Sequence, residues 1–291
     1  MSIIVGYFGP NGAVVGGDKR TIFFRGSVEN REQLEKKLYC GEIKSDEELK
    51  KIAEEHNVKI HIDDNNTKVR DINNILVGEV KSIGANSQRR RMYLTTGKCV
   101  ILDIFNDEIT KKSEKTGVGL ILFGNRYLKD VVSKELNKYS KDFKNMPIED
   151  VKKHIENAIK KCDGPTLSNE IIMLSTNKAN PSFNNIIKKD FNDLVEYRSK
   201  LRNELIDMRR ASIVAEKIEN NGEVGYIKDS KLVLDKNHVA IDKICSNPTV
   251  FEEIEVEGNV EDGDIIYIDN EGLKVKGKEE PIKVNKIICK A

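Results

Sequence analysis

The chain opens with two short apolar runs separated by turn-forming residues. Ile3 to Phe8 is the first run, Gly9-Pro10-Asn11-Gly12 supplies the turn, and Ala13 to Val15 is the second run. Apolar segments of this length on either side of a cluster of Gly, Pro and Asn are typical of two paired strands. The pattern therefore predicts a β-hairpin at the start of the chain.

Residues 45–115 combine one helical pattern with several strand patterns. Ser45-Asp46-Glu47-Glu48 is a capping box, and the apolar residues that follow it recur at helical spacing. Short apolar runs then fit strands at Val58–Ile62, Ile72–Val80 and Met92–Phe105. Because this segment is too long to be a loop, it predicts an α/β sub-domain over about 45–115.

The next segment, up to about residue 183, alternates strands with amphipathic helices. A nearly continuous apolar run ends at Phe123, and it is followed by a helical pattern and by a second helix that opens at Pro147. Asp163-Gly164-Pro165 breaks the chain before a strand at Ile171–Thr176. Helices and strands in this order predict an α+β core.

The last third of the chain changes pattern twice. Residues 184–220 carry apolar positions interleaved with charges at helical spacing, which predicts a helical arm or a helical hairpin. From 221 to 291, short alternating runs are separated by turn signals such as Asp262-Gly263-Asp264 and Asn270-Glu271-Gly272. This segment predicts a small β-barrel, which either stabilises the chain end or binds a polypeptide.

Composition limits the classes of function. The 291 residues carry 49 basic and 48 acidic side chains, and the net charge of +1 gives no overall attraction to nucleic acid or anionic lipid. No apolar run approaches the roughly 20 residues that span a bilayer, so we expect a cytoplasmic protein that is not an integral membrane protein. The five cysteines are scattered and odd in number, and the four histidines lack ligand spacing, so we expect no metal and no cofactor.

The chain start carries a candidate nucleophile. Ser2 follows the initiator methionine, and removal of that methionine would leave a serine whose hydroxyl and free α-amine belong to one residue. An α-amine, whose ordinary pKa is about 7.7–8.0, is partly neutral at neutral pH, so it can take the hydroxyl proton. The hairpin returns Asp18 and Arg20 to this end of the first strand. From the residues alone, an ordinary N-terminal strand with a charged residue at the far end of its hairpin remains the alternative.

Four blocks in the same order resemble mature proteasome β-subunits and other N-terminal-nucleophile hydrolases. They are Ser2 with Asp18-Lys19-Arg20, Lys36-Lys37-Leu38-Tyr39, Gly119 to Asn125, and Asn145 to Asp150. The resemblance implies a four-layer αββα sandwich with catalytic roles for Ser2, Asp18, Lys37 and Arg20. The Lys37 ammonium would lower the pKa of the hydroxyl, and Asp18 would hold that ammonium in place. Backbone N–H groups near Gly119 are the oxyanion-hole candidate.

Departures from the proteasome pattern point to one branch of this superfamily. A serine in place of threonine, an insertion at about 45–115 in the 2–183 domain, a helical arm at 184–220 and a β region at 221–291 together resemble connectase. Connectase is the proteasome-related protein ligase of methane-producing archaea, so the resemblance implies transpeptidation. The enzyme would take an acyl-peptide ending in Asp from a Lys-Asp-Pro-Gly-Ala-type motif, hold it on Ser2, and pass it to an amine beginning Pro-Gly. The implied substrate is the A subunit of the membrane methyltransferase complex.

Arg89-Arg90-Arg91 is the sharpest local run of charge. One interpretation is a solvated loop or a nonspecific contact with phosphate. The other is a substrate-binding rim that steers an acidic segment of a protein toward Ser2. Both interpretations remain open at this point.

Two other functions also remain open. A stand-alone N-terminal-nucleophile peptidase or amidase would release its acyl group to water instead of to an amine. A non-catalytic protein-binding module on the same scaffold would form no covalent adduct at all. The modules added to the proteasome-like part favour a monomer over a ring.

Overall fold

The computed structural model describes residues 3–82 and 87–291, so Ser2, the expected nucleophile, lies outside the described residues. The chain divides into two compact units, one up to Asp193 and one from Leu194 to Ala291. The described residues form five α-helices, twenty strands and a closed six-stranded barrel near the C-terminus. The predicted mixture of helices and strands and the predicted C-terminal barrel are therefore confirmed.

The first unit contains eleven strands and most of the helices. The strands are β1 (Ile3–Gly9), β2 (Gly12–Asp18), β3 (Thr21–Arg25), β4 (Lys59–Asp63), β5 (Val69–Ile72), β6 (Ile75–Lys81), β7 (Gln88–Thr95), β8 (Lys98–Phe105), β9 (Glu108–Thr116), β10 (Gly119–Gly124) and β11 (Ile171–Thr176). The helices are α1 (Val28–Tyr39), α2 (Asp46–Glu55), α3 (Arg126–Leu136) and α4 (Ile148–Lys160). Helix α5 (Phe183–Glu216) begins in this unit and ends in the second.

The predicted N-terminal hairpin is confirmed and forms the centre of a sheet. Strands β1 and β2 pair antiparallel, β10 pairs with the other edge of β1, and β11 pairs with the other edge of β2. Every residue of β1 and β2 is buried. Continuous apolar runs suit this position because both faces of the two central strands are covered.

Each face of the central sheet has its own core. Ile3, Val5 and Tyr7 pack with residues of α3 and α4 on one face. Ile4 and Phe8, which point the other way because side chains alternate along a strand, pack with residues of the five-stranded sheet β5-β6-β7-β8-β9. The far face of that second sheet is met by the first turns of α5, whose Asp190 accepts hydrogen bonds from side chains of β7.

The segment predicted as an inserted sub-domain, 45–115, shares a core with the N-terminal hairpin. Apolar side chains of β5 to β8, which lie in this range, pack with those of β1 and β2. A separate small cluster is built by α1, α2, β3 and β4, within residues 21–63, around Leu34, Leu38 and Leu49. The small cluster therefore begins before residue 45, and the strands that follow it complete the main core.

The second unit holds the barrel. Its strands follow one another around the barrel in the order β12 (Gly222–Lys228), β13 (Lys231–Leu234), β16 (Glu253–Glu257), β19 (Pro281–Val284), β18 (Gly272–Val275) and β17 (Ile265–Asp269). Strands β14 (His238–Ile241), β15 (Val250–Phe251) and β20 (Ile287–Lys290) form a small sheet. Alternating residues such as Val224, Leu232 and Ile254 fill one apolar core. The helical pattern predicted for 184–220 is one continuous helix, α5.

Candidate active site

A buried carboxylate lies beside the start of the described chain. Asp18, at the end of β2, is 1% exposed, and its Oδ1 accepts a hydrogen bond from the backbone N–H of Ile3 at 3.1 Å. Its Oδ2 accepts from the backbone N–H of Arg20 at 2.8 Å. The pairing of Ile4 with Gly17 sets this register, and it returns Asp18 to the residue that follows Ser2 in sequence, as the hairpin pattern predicted.

Lys68 occupies the position beside Asp18 that the sequence analysis gave to Lys37. Its Nζ lies 3.0 Å from Oδ2 of Asp18, and it also donates to the backbone carbonyl of Arg20. The Lys68 and Asp18 side chains are only 11% and 0% exposed. Burial lowers the pKa of Lys68, because it disfavours the charged form, while the attraction of Asp18 partly opposes that shift. The result is a lysine that is closer to losing its proton than an ordinary one.

Lys37 is located elsewhere. It lies on α1, its side chain is exposed, and its Nζ is 3.3 Å from Nε2 of His56. The segment is helical because Leu34 and Leu38, four residues apart, both pack into the small apolar cluster. Among the described residues, the structure gives no contact between Lys37 and Asp18. The sequence signal that would have favoured Lys68 is a lysine directly before a strand, β5, that enters the main core.

Arg20 fixes the surroundings of Asp18. Its guanidinium donates to both carboxylate oxygens of Asp64 at 2.8 and 2.9 Å, to Asp46 at 2.7 Å, and to the carbonyl of Pro165 at 3.1 Å. Hydrogen bonding to Asp64 raises the pKa of Arg20, and the pKa of Asp64 is lowered by the same bond. Arg20 is thus a fixed positive charge that ties the first residue of α2 and the loops of Asp64 and Pro165 to the end of β2, as a positioning residue does.

Gly119 lies at the wrong end of its strand for the predicted oxyanion role. Gly119 pairs with Phe8, whereas Ile3 at the start of β1 pairs with Gly124. Five residues of strand at about 3.3 Å each separate these positions by roughly 17 Å. Packing explains the glycine, because a Cβ there would lie 2.7 Å from the ring of Phe8.

Asn125 lies at the other end of that strand, just after the residue that pairs with Ile3 at the start of β1. The sequence pattern did not single it out. Asn125 follows Gly124, is 3% exposed, and caps α3 by accepting the N–H of Leu128 on Oδ1 at 2.8 Å. Its Nδ2 is buried and has no hydrogen-bond partner among the residues that the structure describes. A buried donor left without an acceptor costs free energy, which makes it a candidate for contact with a ligand. The sequence signal that could have identified Asn125 is an Asn cap directly between an apolar strand and a helix.

A cavity of about 870 Å³ borders Arg20 and Lys68. Residues 21–24 of β3 line it as well, and further lining comes from α1, β6, β7 and β8. Strand β3 pairs with β4 along one edge and, within the described ranges, with no strand along its other edge. The wall of the cavity therefore contains two residues of the charged site and part of a strand that has one unpaired edge.

The arginine run 89–91 lies in strand β7 and not in a loop. Its three guanidinium groups are all paired within the protein: Arg89 with Glu79 at 2.7 Å, Arg90 with Asp103 at 2.9 Å, and Arg91 with Glu79 and Asp190. Arg91 is 4% exposed, and only Arg89 and Arg90 line the cavity. The solvated-loop interpretation is wrong, and a substrate-binding role stays a prediction for Arg89 and Arg90.

Two family models match the chain and together cover almost all of it. The one described as "Connectase MJ0548-like, N-terminal domain" matches residues 1–192, and "Connectase MJ0548-like, C-terminal domain" matches residues 196–289. The chain belongs to the connectase family. The boundary between the two connectase matches agrees with the division into units after Asp193. No curated protein matches the sequence.

The candidate site combines four features of the described residues. They are a buried carboxylate, a buried lysine with a lowered pKa, a buried amide donor for which the described chain supplies no partner, and a cavity that the lysine helps to line. Membership of the connectase family confirms the resemblance drawn from the sequence and supports an enzyme with ligase-like activity. In addition, none of the described helices is both long enough and apolar enough to cross a membrane.

Proposed function

We propose that this connectase is a sequence-specific transpeptidase with Ser2 as its nucleophile. It takes an acyl-peptide ending in Asp from a Lys-Asp-Pro-Gly-Ala-type motif and passes it to an amine beginning Pro-Gly. The observation that carries the proposal is the buried Asp18–Lys68 pair, which is hydrogen-bonded to the residue that follows Ser2. The layer order of helix pair, sheet, sheet and helix supports an N-terminal-nucleophile αββα sandwich for the first unit.

In the first step, Ser2 Oγ attacks the carbonyl carbon of the Asp–Pro bond. Lys68, in place of Lys37, accepts the hydroxyl proton, because burial lowers its pKa and raises its neutral fraction. Asn125 Nδ2 donates to the oxygen on which negative charge develops, as an oxyanion-hole donor. The carbon–nitrogen bond then breaks, the proton passes to the leaving proline nitrogen, and the acyl group remains on Ser2 as an ester.

In the second step, the acyl group leaves Ser2. The ester can shift to the α-amine of the same residue and return, which stores the acyl group as an amide. The proline nitrogen of an incoming Pro-Gly peptide attacks the ester carbonyl and gives up its proton to Lys68. The bond between the carbonyl carbon and Oγ then breaks, and Lys68 passes that proton to Oγ, which restores the serine hydroxyl. Release to this amine instead of to water makes the enzyme a ligase, so the leaving peptide must stay bound close to the ester.

The cavity beside β3 is the proposed peptide site. The unpaired edge of β3 supplies backbone N–H and C=O groups, which an extended peptide can pair with as an added strand. Arg89 and Arg90, the substrate-binding candidates, also line the cavity, and each is paired there with a carboxylate that a substrate group could share or replace. The partially apolar lining from Phe23, Phe24 and Phe105 would limit the access of water to a bound peptide.

The protein substrate that goes with this activity is the A subunit of the membrane methyltransferase complex of methane-producing archaea. The connectase would work on it as a cytoplasmic monomer, with no nucleic-acid partner. The formal net charge of +1 supports a polypeptide partner over nucleic acid or an anionic membrane surface.

The test uses two peptides and mass spectrometry. The Met-processed protein is incubated with a Lys-Asp-Pro-Gly-Ala peptide and with a second peptide that begins Pro-Gly. We expect an acyl adduct on the N-terminal proteolytic fragment and a ligated product, both abolished by Ser2→Ala and both retained by the control Ser133→Ala on α3. Hydrolysed fragments without ligated product would favour the peptidase, and binding without any adduct would favour the non-catalytic module.

A further inference from the structure

Helix α1 turns one charged face toward the cavity. Arg31, Glu35 and Tyr39 line the cavity at positions i, i+4 and i+8 of the helix. Leu34 and Leu38, on the adjoining face, pack into the small apolar cluster. This cluster holds the helix in place, so the three cavity-lining side chains project from a supported wall.

Most positive charges in the cavity wall are already neutralised by a carboxylate. The pairs are Arg20 with Asp64, Lys68 with Asp18, Arg70 with Asp190, Arg89 with Glu79, and Arg90 with Asp103. Among the described lining residues, Arg31 and Lys81 have no ion pair. The Lys81 side chain is exposed to water, whereas the Nε of Arg31 is buried and has no hydrogen-bond partner in the described chain.

Arg31 is thus a half-buried cation in the cavity wall that no carboxylate of the described chain neutralises, so its guanidinium can pair with an acceptor on a bound molecule. The planar N–H groups of arginine match the two oxygens of a carboxylate, and the resulting charge-assisted bonds are the stronger kind. Glu35, Glu79 and Asp103 also line the cavity, and their negative charges would oppose a doubly charged phosphate more than a single carboxylate. The mixed lining therefore favours an acidic amino-acid side chain.

We propose that Arg31 binds the carboxylate of an acidic side chain in the peptide that occupies the cavity. It thereby sets a preference for a carboxylate over the corresponding amide at one position of the substrate. This inference rests on the proposed function to the extent that the cavity is taken as the peptide site. Arg31 acts in recognition, and it takes no part in moving the acyl group.

Equilibrium binding tests this role without any chemistry. In the Ser2→Ala background, which forms no ester, fluorescence anisotropy measures the affinity of a labelled Lys-Asp-Pro-Gly-Ala peptide and of its Lys-Asn-Pro-Gly-Ala analogue. We expect Arg31→Gln to lower the affinity for the acidic peptide by about ten-fold or more, because a charge-assisted hydrogen bond is lost. The affinity for the amide analogue should change by less than about two-fold.

Two matched variants control for position and for charge. Glu35→Gln changes the next residue on the same helix face and should leave the binding of the acidic peptide unchanged or tighter, since a repelling charge is removed. Lys81→Gln removes the other unpaired cation and should change the affinity for the acidic peptide by less than about two-fold, because that ammonium is solvated. Arg31→Lys should retain part of the affinity, and thermal unfolding of each variant shows that it is folded.

Each outcome bears on the proposal. The proposal is overturned if Arg31→Gln weakens the binding of both peptides equally or weakens the binding of neither. It is also overturned if the acidic peptide does not bind to the Ser2→Ala chain. If the acidic peptide binds through Arg31 while the wild-type chain forms no adduct, the transpeptidase proposal fails and the binding proposal stands. If ligation proceeds and does not depend on Arg31, the transpeptidase proposal stands and the binding proposal fails.

Discussion

The Asp18–Lys68 pair gives the sharpest test of the site, through the substitution Asp18→Asn. The change keeps the size of the side chain and removes its charge, while the ammonium of Lys68 stays buried at 11% exposure. Two unit charges at the observed 3.0 Å attract by about 5.5 kcal/mol at an effective dielectric constant of 20. Because the substitution leaves one buried charge unpaired, we expect the free energy of unfolding to fall by about 3–5 kcal/mol.

The loss should depend on pH in a defined direction. Lys68 no longer carries an unpaired charge once it loses its proton. For a lysine of ordinary pKa this loss costs about 4.6 kcal/mol at pH 7, and the cost falls by about 1.36 kcal/mol for each pH unit above pH 7. Its pKa in the folded state is already lowered by burial, so between the folded and unfolded pKa values the unfolded chain binds more protons. Stability therefore rises with pH in this window, and the deficit of Asp18→Asn should shrink between pH 7 and about pH 9.5.

Hydrogen exchange of the β1 and β2 amides measures this free energy locally, and urea unfolding measures it for the chain. The surface pair of Lys19 with Glu170, at 2.5 Å with the glutamate 72% exposed, is the matched control. Glu170→Gln should cost less than about 1 kcal/mol. The double variant Asp18→Asn with Lys68→Met should recover part of the loss. A deficit below about 1 kcal/mol, or one that does not change with pH, would refute the buried-pair reasoning.

Three further substitutions separate the predicted catalytic groups from their alternatives. Lys68→Arg should slow adduct formation by at least about 100-fold in quenched mass spectrometry, because a guanidinium keeps its proton. Lys37→Arg, the control, should leave the rate unchanged. The opposite pattern would make Lys37 the group that accepts the hydroxyl proton. Asn125→Asp retains the helix cap but replaces the free donor with an oxygen, so the adduct should form about 100-fold more slowly at a similar melting temperature, and an unaltered rate would exclude Asn125 as oxyanion donor. Gly119→Ala places a Cβ 2.7 Å from the Phe8 ring. It should cost about 1–3 kcal/mol of stability by overpacking, with no change in the rate of the folded enzyme, and a selective loss of rate would restore Gly119 to the oxyanion hole.

Local patterns in the sequence were sufficient for much of the fold. The N-terminal hairpin, the Ser45 cap of α2, the strand Ile171–Thr176 and the C-terminal barrel all rest on neighbouring residues, and all are present. The return of Asp18 to the chain start was also predictable, because a tight hairpin fixes the register of its two strands.

The contacts that define the site could not be predicted in the same way. Lys68 meets Asp18 across 50 residues of sequence, and its position directly before β5 is the one local feature that separates it from the exposed Lys37. The packing of the inserted strands could not be predicted either, because the alternation in β6 to β8 fits a separate sheet as well as it fits the second sheet of the main core. The arginine run has the local pattern of a surface feature, since its carboxylate partners come from β6, β8 and α5.

On the proposed function, the length of β3 limits the main-chain contacts that a bound peptide can make. The strand has five residues, Thr21–Arg25, and only alternate residues of a strand direct their N–H and C=O groups toward a given neighbour. A peptide added beside β3 can therefore pair with it over about five residues, or roughly 17 Å. Such a length matches a short motif such as Lys-Asp-Pro-Gly-Ala, and residues of the substrate beyond that motif would make no main-chain contact with β3.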